Sequence, residues 1–430
     1  MAKKNKSRKV KREPTRHQIS KWQQQKKRQR IIFTIGIVII VAVVAITLVG
    51  WYFSQYQPLH ETAIKVNDAE FDMSYFIDTL EFHGKNQSPE FMQHMTDSIV
   101  DDIVQNELIR QAAMELGITA SSDEIREKLK EVDFPNDRAH RDIASTWVIT
   151  GKLQDEYFEQ QVPTATAQVH IMAMLLESER QALEATDRLE SGEDFATLAG
   201  ELSVNELTRQ KQGDPGWHPE SILKQLLYTS VPVEYAATAE VGALSEPLHD
   251  EQVIKEVGYW LVKISEWDEE NDRAHAHAIL LGSEEEAQDV KARLEAGEDF
   301  ATLAEELSQW YAAKSNKGDL NWVTEGSTTP VLDEVIFNDG LELETLTGPV
   351  RDDTTTTRGG YWLVKVDDRD DNRQIDETDR EFMKAKALQD WVDSLWDDPD
   401  NLVDDSFLDD EKIAWAVDEA MKSLRKTGGS

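Results

Sequence analysis

The residues that could do chemistry are few, and their spacing is informative. His275 and His277 lie two apart in an apolar run, AHAHAILL (Ala274–Leu281), which puts both imidazoles on one face of a strand. Such a pair could begin a metal site, but the sequence offers no third ligand beside it, so no metal is expected there. His170, in VHIMAMLL (Val169–Leu176), reads as an ordinary strand residue. The chain has no cysteine, which excludes disulfides, thiol nucleophiles, thiolate metal sites and a lipid-modified cysteine anchor. The acidic stretch DDPDNLVDDSFLDD lacks the spaced Asp/Gly pattern and closing Glu of a calcium loop, and reads as solvated surface. More unusual is a verbatim repeat, GYWLVK at Gly258–Lys263 and again at Gly360–Lys365, with a tryptophan (Trp260, Trp362) in the middle of each copy.

The elements around these residues are duplicated too. LESGEDFATLAGELS (Leu189–Ser203) matches LEAGEDFATLAEELS (Leu294–Ser308) at 13 of 15 positions, 105 residues apart. Phe300, Leu303, Ala304 and Leu307 fall on one helical face, as do Phe195, Leu198, Ala199 and Leu202. Each helix pair opens on a capping serine, Ser178-x-x-Gln181 or Ser283-x-x-Glu286. An apolar run precedes each pair. A Gly-Asp turn with an aromatic follows it (GDPGW, Gly213–Trp217; GDLNW, Gly318–Trp322), then SEPL or TGPV, then GYWLVK. Each unit reads β-α-α-turn-(α)-β-β, an α+β module, and the tandem copies are placed at 164–270 and 271–371. Within the last strand Trp260, Val262 and Ile264 share one face and Tyr259, Leu261 and Lys263 the other.

Outside the repeats the chain reads differently. Ile31–Phe53 is 23 residues without a charge, long enough to span a bilayer. Residues 1–30 precede it with 13 Lys/Arg and one acid, a net of +12, while the whole chain carries −37. The positive-inside rule makes that tail cytoplasmic and the bulk extracytoplasmic. No small-x-small site follows the apolar run, so an uncleaved signal anchor is expected rather than a signal peptide. The acidic body repels nucleic acid phosphates, which excludes that class of partner. Residues 54–163 hold a short strand (Ala63–Val66), an Asn67-Asp68 turn and amphipathic helices, with Gly117 as a helix stop and Ser121-x-x-Glu124 as a capping box. Residues 372–430 return to amphipathic helix.

Each repeat resembles the parvulin-type (PpiC, rotamase) peptidyl-prolyl isomerase domain. The resemblance rests on V-x-x-x-x-(I/M)-L-(L/V), AGEDFATLAEELS, GDLNW/GDPGW, G-x-L-S-E-P and GY-x-(L/I)-V-K-V. The flanking helices resemble the split chaperone region of SurA/PrsA-like foldases, through AIKVNDAEF (Ala63–Phe71), NELIRQAAMELGITASSDEI (Asn106–Ile125) and the final helices. The resemblance implies a helical chaperone region made of N- and C-terminal segments, with two parvulin-like domains inserted between them.

Active parvulins carry a histidine in the first strand, a second in the last strand, and a Cys or Asp in the loop after the second helix. Here those positions fall on Ala173, Asn205 and Trp260 in the first repeat, and on Ala278, Trp310 and Trp362 in the second. No catalytic constellation is intact. The resemblance points instead to Trp217, Trp260, Trp322, Leu332, Phe337 and Trp362 as peptide-binding residues; in the pocket stretch TTPVLDEVIF, which also offers Thr328, only Phe337 is a plain match. A tryptophan opposite an alanine compensates volume, and either closes the pocket or leaves an apolar cleft. No cofactor is implied. The expected function is a membrane-anchored chaperone for unfolded exported polypeptides. The alternatives are an isomerase with an altered pocket and a non-catalytic surface scaffold.

Overall fold

The computed structural model describes residues 16–85, 87–338 and 342–427, in two units: residues up to 159 together with those from 387 onward, and residues 160–386. The basic residues 1–15 of the expected cytoplasmic tail lie outside the described residues.

In the first unit a helix over Arg16–Trp51 continues through further helical turns to Leu59. Its stretch Gly36–Leu59 contains an 18-residue window of mean hydropathy 2.5 and is long and apolar enough to cross a membrane, while the helical turns continue past the expected end of the span at Phe53. β1 (Thr62–Val66) and β2 (Ala69–Asp72) form a hairpin whose turn needs a positive φ, supplied by Asn67 at 53°. Asn67 also ties the two ends of the unit together. Its side chain accepts from the Leu402 N–H at 2.7 Å and donates to Asn401 at 3.0 Å, and β1 pairs with Val403–Asp404. Ala416, Val417 and Ala420 of the last helix join Phe76 and Leu80 in one core, and Val392 joins Ile109 and Ile149 in another. The first unit is therefore built from both ends of the chain, its returning segment beginning near 387 where the sequence placed it at 372. The capping box at Ser121 and Glu124 forms, and Gly117 ends its helix at φ +77°.

The second unit contains two four-stranded antiparallel sheets. Its strands are β3 (Ala165–Leu176), β4 (Trp217–His218), β5 (Leu248–Lys255), β6 (Gly258–Asp268), β7 (Arg273–Leu281), β8 (Asp319–Thr324), β9 (Leu346–Asp352) and β10 (Thr357–Gln374). The sheet orders are β4-β3-β10-β5 and β8-β7-β6-β9. The first GYWLVK copy, in β6, is thus a central strand of the second sheet, and the second copy, in β10, is a central strand of the first. The units 164–270 and 271–371 read from the repeats are not the structural modules. One module is the contiguous run β6–β9; the other takes β3–β5 from before it and β10 from after it.

The reason lies in connection length. β6 reaches β7 through Glu269–Asp272, with Asp272 at φ 49°, and so short a turn holds the two strands side by side. β3 then pairs with the other copy of the same six residues, Leu363 opposite Met174 and Val364 opposite Ala173. The modules also interlock: Arg351 of β9 donates to Glu177 at 2.6 Å and to the Tyr259 hydroxyl at 2.6 Å.

The exchange can be tested in a chain with no native cysteine. Ala165 and Gln374 are opposite each other at the end of the β3–β10 ladder. Ala165→Cys with Gln374→Cys is expected to form an intrachain disulfide on mild oxidation, seen as a mobility shift in non-reducing gels. If each repeat kept its own strand, the two cysteines would sit in different modules and no such bond would form.

Candidate functional site

Each module builds its centre from the same short-range devices. The Ala173 N–H donates to the Gly213 carbonyl at 2.8 Å, and the Ala278 N–H to that of Gly318 at 2.9 Å. Both glycines are left-handed, at φ +85° and +82°, and a Cβ at Gly318 would come within 2.7 Å of the Phe300 ring, so this turn accepts little else. Ser203 and Ser308 accept from the Leu175 and Leu280 N–H groups at 3.1 and 3.2 Å, fixing the end of the second helix against the first strand. That anchor places the next loop. Asn205 caps the helix that follows, accepting from the Thr208 N–H at 3.0 Å. Trp310 occupies the same place in the other module without capping, its ring edge-on to Trp260 at 5.4 Å and 89°.

Trp260 and Trp362 are fully buried, at 0% exposure. Trp260 shares a core with Ala278, Leu332 and Ile336, with Trp310 and Phe337 packed against it. Trp362 shares the other with Ala173, Leu223, Leu227 and Val233. A buried indole N–H requires an acceptor. Trp260 donates to Asp352 at 2.9 Å and Trp362 to Asp250 at 3.1 Å. Asp352 accepts further from the Thr354 N–H and hydroxyl at 2.9 and 2.7 Å; Asp250 accepts from the Thr229 hydroxyl at 2.6 Å and the Val253 N–H at 3.0 Å. Burial alone would raise the Asp352 carboxyl, but the Trp260 indole and the Thr354 donors hold it below the ordinary carboxylate range.

The structure therefore brings Ala278, Trp310, Trp260, Leu332 and Phe337 together, and Ala173 with Trp362. It does not bring Ala173 to Trp260 or Ala278 to Trp362, because the strands are exchanged. Trp260, Trp362 and Leu332 present no surface to a peptide; this corrects their expected role in binding. Trp217 and Trp322 lie on the opposite sheet faces, stacked on His170 and His275, each at 5.5 Å. The missed residues are Asp250 and Asp352. One signal pointed to them: in both copies an Asp stands three residues after the proline of SEPL or TGPV.

Two clefts lie between the modules, and neither is lined by Trp260 or Trp362. One of about 460 Å³ is bordered by Asn205, Tyr228, Ile254, Lys255 and Arg351; the other, about 570 Å³, is lined by acidic groups including Glu177 and Glu286. Lys255 lines both. Burial pushes its ammonium down to about 8, and it donates to the Arg358 carbonyl at 3.2 Å.

Replacing Trp260 with Phe removes one donor from a buried carboxylate. The expected cost is about 1–3 kcal/mol, read as a lower urea midpoint. A carboxyl with a depressed folded pKa stabilises above its unfolded value and loses that contribution as pH falls through the folded one. Trp260→Phe should therefore destabilise more at pH 7 than at pH 2; equal losses at both would contradict the assigned charge.

Comparisons with known proteins agree with the two-part reading. Residues 21–169 match the SurA-like N-terminal domain and residues 261–368 the PPIC-type PPIase domain. The Chaperone SurA of Chromohalobacter salexigens is 25% identical over 275 residues, covering 57% of this chain and 59% of that one. The Foldase protein PrsA of Oceanobacillus iheyensis is 28% identical over 205 residues, covering 45% and 60%. The chain thus spans about three fifths of the length of these relatives. The peptidylprolyl isomerase PrsA of Bacillus anthracis aligns over 82% of this chain and 98% of its own, at 12% identity and a TM-score of 0.26.

Proposed function

From a chain that joins a SurA-like N-terminal domain to a PPIC-type rotamase domain, we propose a protein-folding factor that grips unfolded exported polypeptides rather than turning their prolyl bonds. The observation that carries this is the pair of buried tryptophans bonded to buried aspartates. We take Ala173, Asn205 and Trp362 as the family's site positions in one module, and Ala278, Trp310 and Trp260 as those in the other, which makes both modules degenerate parvulins. Lowering a rotation barrier of about 18–20 kcal/mol requires an apolar slot for the proline ring and polar groups that favour the twisted amide. Here the slot is filled by indole, the indole N–H is committed to a carboxylate, and alanine supplies nothing polar.

Gripping has support of another kind. The first unit exposes Phe91, Met114, Leu116, Trp147 and Leu402, apolar groups of the sort that bind unfolded chain. Phe337 and the half-exposed Trp217 and Trp322 could add contacts in the modules. The apolar helix is proposed to anchor the protein, with its basic tail in the cytoplasm and the chain beyond the helix on the outer side.

The PPIC-type match favours the second reading, an isomerase with an altered pocket. One experiment separates the two. The full-length chain should suppress aggregation of a denatured client, seen as reduced light scattering, and leave the rate of proline-limited refolding unchanged. Adding Ala278→His with Trp260→His, which meet in one core, tests whether the missing imidazoles limit turnover. Acceleration by the unmodified chain would sink the gripping proposal.

A further inference from the structure

Alternation in β7 buries Ala274, Ala276 and Ala278 and turns His275 and His277 to the opposite face. β8 pairs with β7 so that Asp319 stands opposite His277. The sequence hid this third group 42 residues downstream, in the Gly-Asp turn. Asp319 accepts from His275 Nε2 at 2.8 Å, and ligand atoms of all three residues lie within 4.8 Å of one another. Ser265 Oγ sits 3.2 Å from His275 Nδ1 and 3.2 Å from His277 Nε2, where it can orient both rings.

The duplication supplies an internal control. In the other module His170 meets Asp214 at 2.7 Å with Trp217 stacked on the ring, the same arrangement shifted by 105 positions. A His–Asp pair that pins the Gly-Asp turn accounts for His170, Asp214, His275 and Asp319 as structure. It leaves His277 without a role, since Met172 stands at that position in the other module. His277 turns a two-group turn support into a three-group cluster of two imidazoles and a carboxylate, a donor set suited to zinc-class divalent cations.

We propose that His275, His277 and Asp319 form a binding site for a divalent transition metal of the zinc class, whose equivalent in the first module is broken by Met172. Three protein groups leave at least one coordination position for water or an outside ligand. Ser265 is the positioning residue behind the two imidazoles.

The test uses the full-length chain without a histidine tag, stripped with chelator, and Zn²⁺ as the probe in competition with a chromophoric chelator. His277→Met, which copies the first module, and Asp319→Asn should each lose one equivalent of bound Zn²⁺ relative to the unmodified chain. His170→Ala should lose none, and Ser265→Ala should weaken binding about tenfold. Zn²⁺ should also raise the thermal midpoint of the unmodified chain but not of His277→Met, because a ligand bound only by the folded state stabilises it. Superimposable titrations for the unmodified chain, His277→Met and Asp319→Asn would overturn the proposal, as would an equal loss in His170→Ala.

Discussion

A buried indole N–H with nowhere to go would be costly, and the second unit is organised around avoiding that cost. In each module the acceptor is an aspartate on the outer neighbour of the tryptophan strand: β9 for Trp260 and β5 for Trp362. A carboxylate at that depth is unfavourable unless several donors converge on it. The threonines and backbone N–H groups around Asp250 and Asp352 provide them. The indole fills volume on one side and satisfies a charge on the other, so it cannot be exchanged for histidine or phenylalanine without disturbing both.

The strand exchange follows from geometry rather than from any preference in the strands themselves. Two identical hexapeptides carry the same side chains in the same alternation, so either fits either sheet. The turn between β6 and β7 breaks the tie, since a four-residue connection commits β6 to the strand that follows it. Once β6 is committed, β3 pairs with β10. The first module can close only after the whole second module has been made, which couples the two. Arg351 reaching Glu177 lies across that same junction.

This shows what the sequence could and could not reveal. Local signals were legible because their causes are local. Ser121 and Glu124 cap as spaced, Gly117 takes the positive φ, and Trp260, Val262 and Ile264 line one face of β6. The duplicated helices and turns were equally plain. The assignment of strands to modules could not be read from the repeats, because the two hexapeptides are identical and only the short β6–β7 connection tells them apart. The acceptor aspartates lie 92 and 112 residues from their indoles, and only the shared spacing after proline linked them to anything. The two histidines stand out as a pair in the sequence, but Asp319 joins them only through the β7–β8 register.

Duplication makes the chain its own comparison. Where both copies agree, a structural cause is sufficient. Tryptophan with aspartate, alanine beneath the Gly-Asp turn, and histidine with aspartate beside a stacked tryptophan each recur with nearly the same distances. Two modules folding by the same rules need the same supports, and agreement alone says little about function. Where the copies differ, folding does not demand the difference. Trp310 stands where Asn205 caps a helix, and His277 where Met172 packs against the Gly213 turn. The first change adds an aromatic to an already closed core and removes the polar side chain that caps the helix in the other module. The second adds a ligand to a surface that was complete without it. Any chemistry particular to one module therefore has to be sought among those differences.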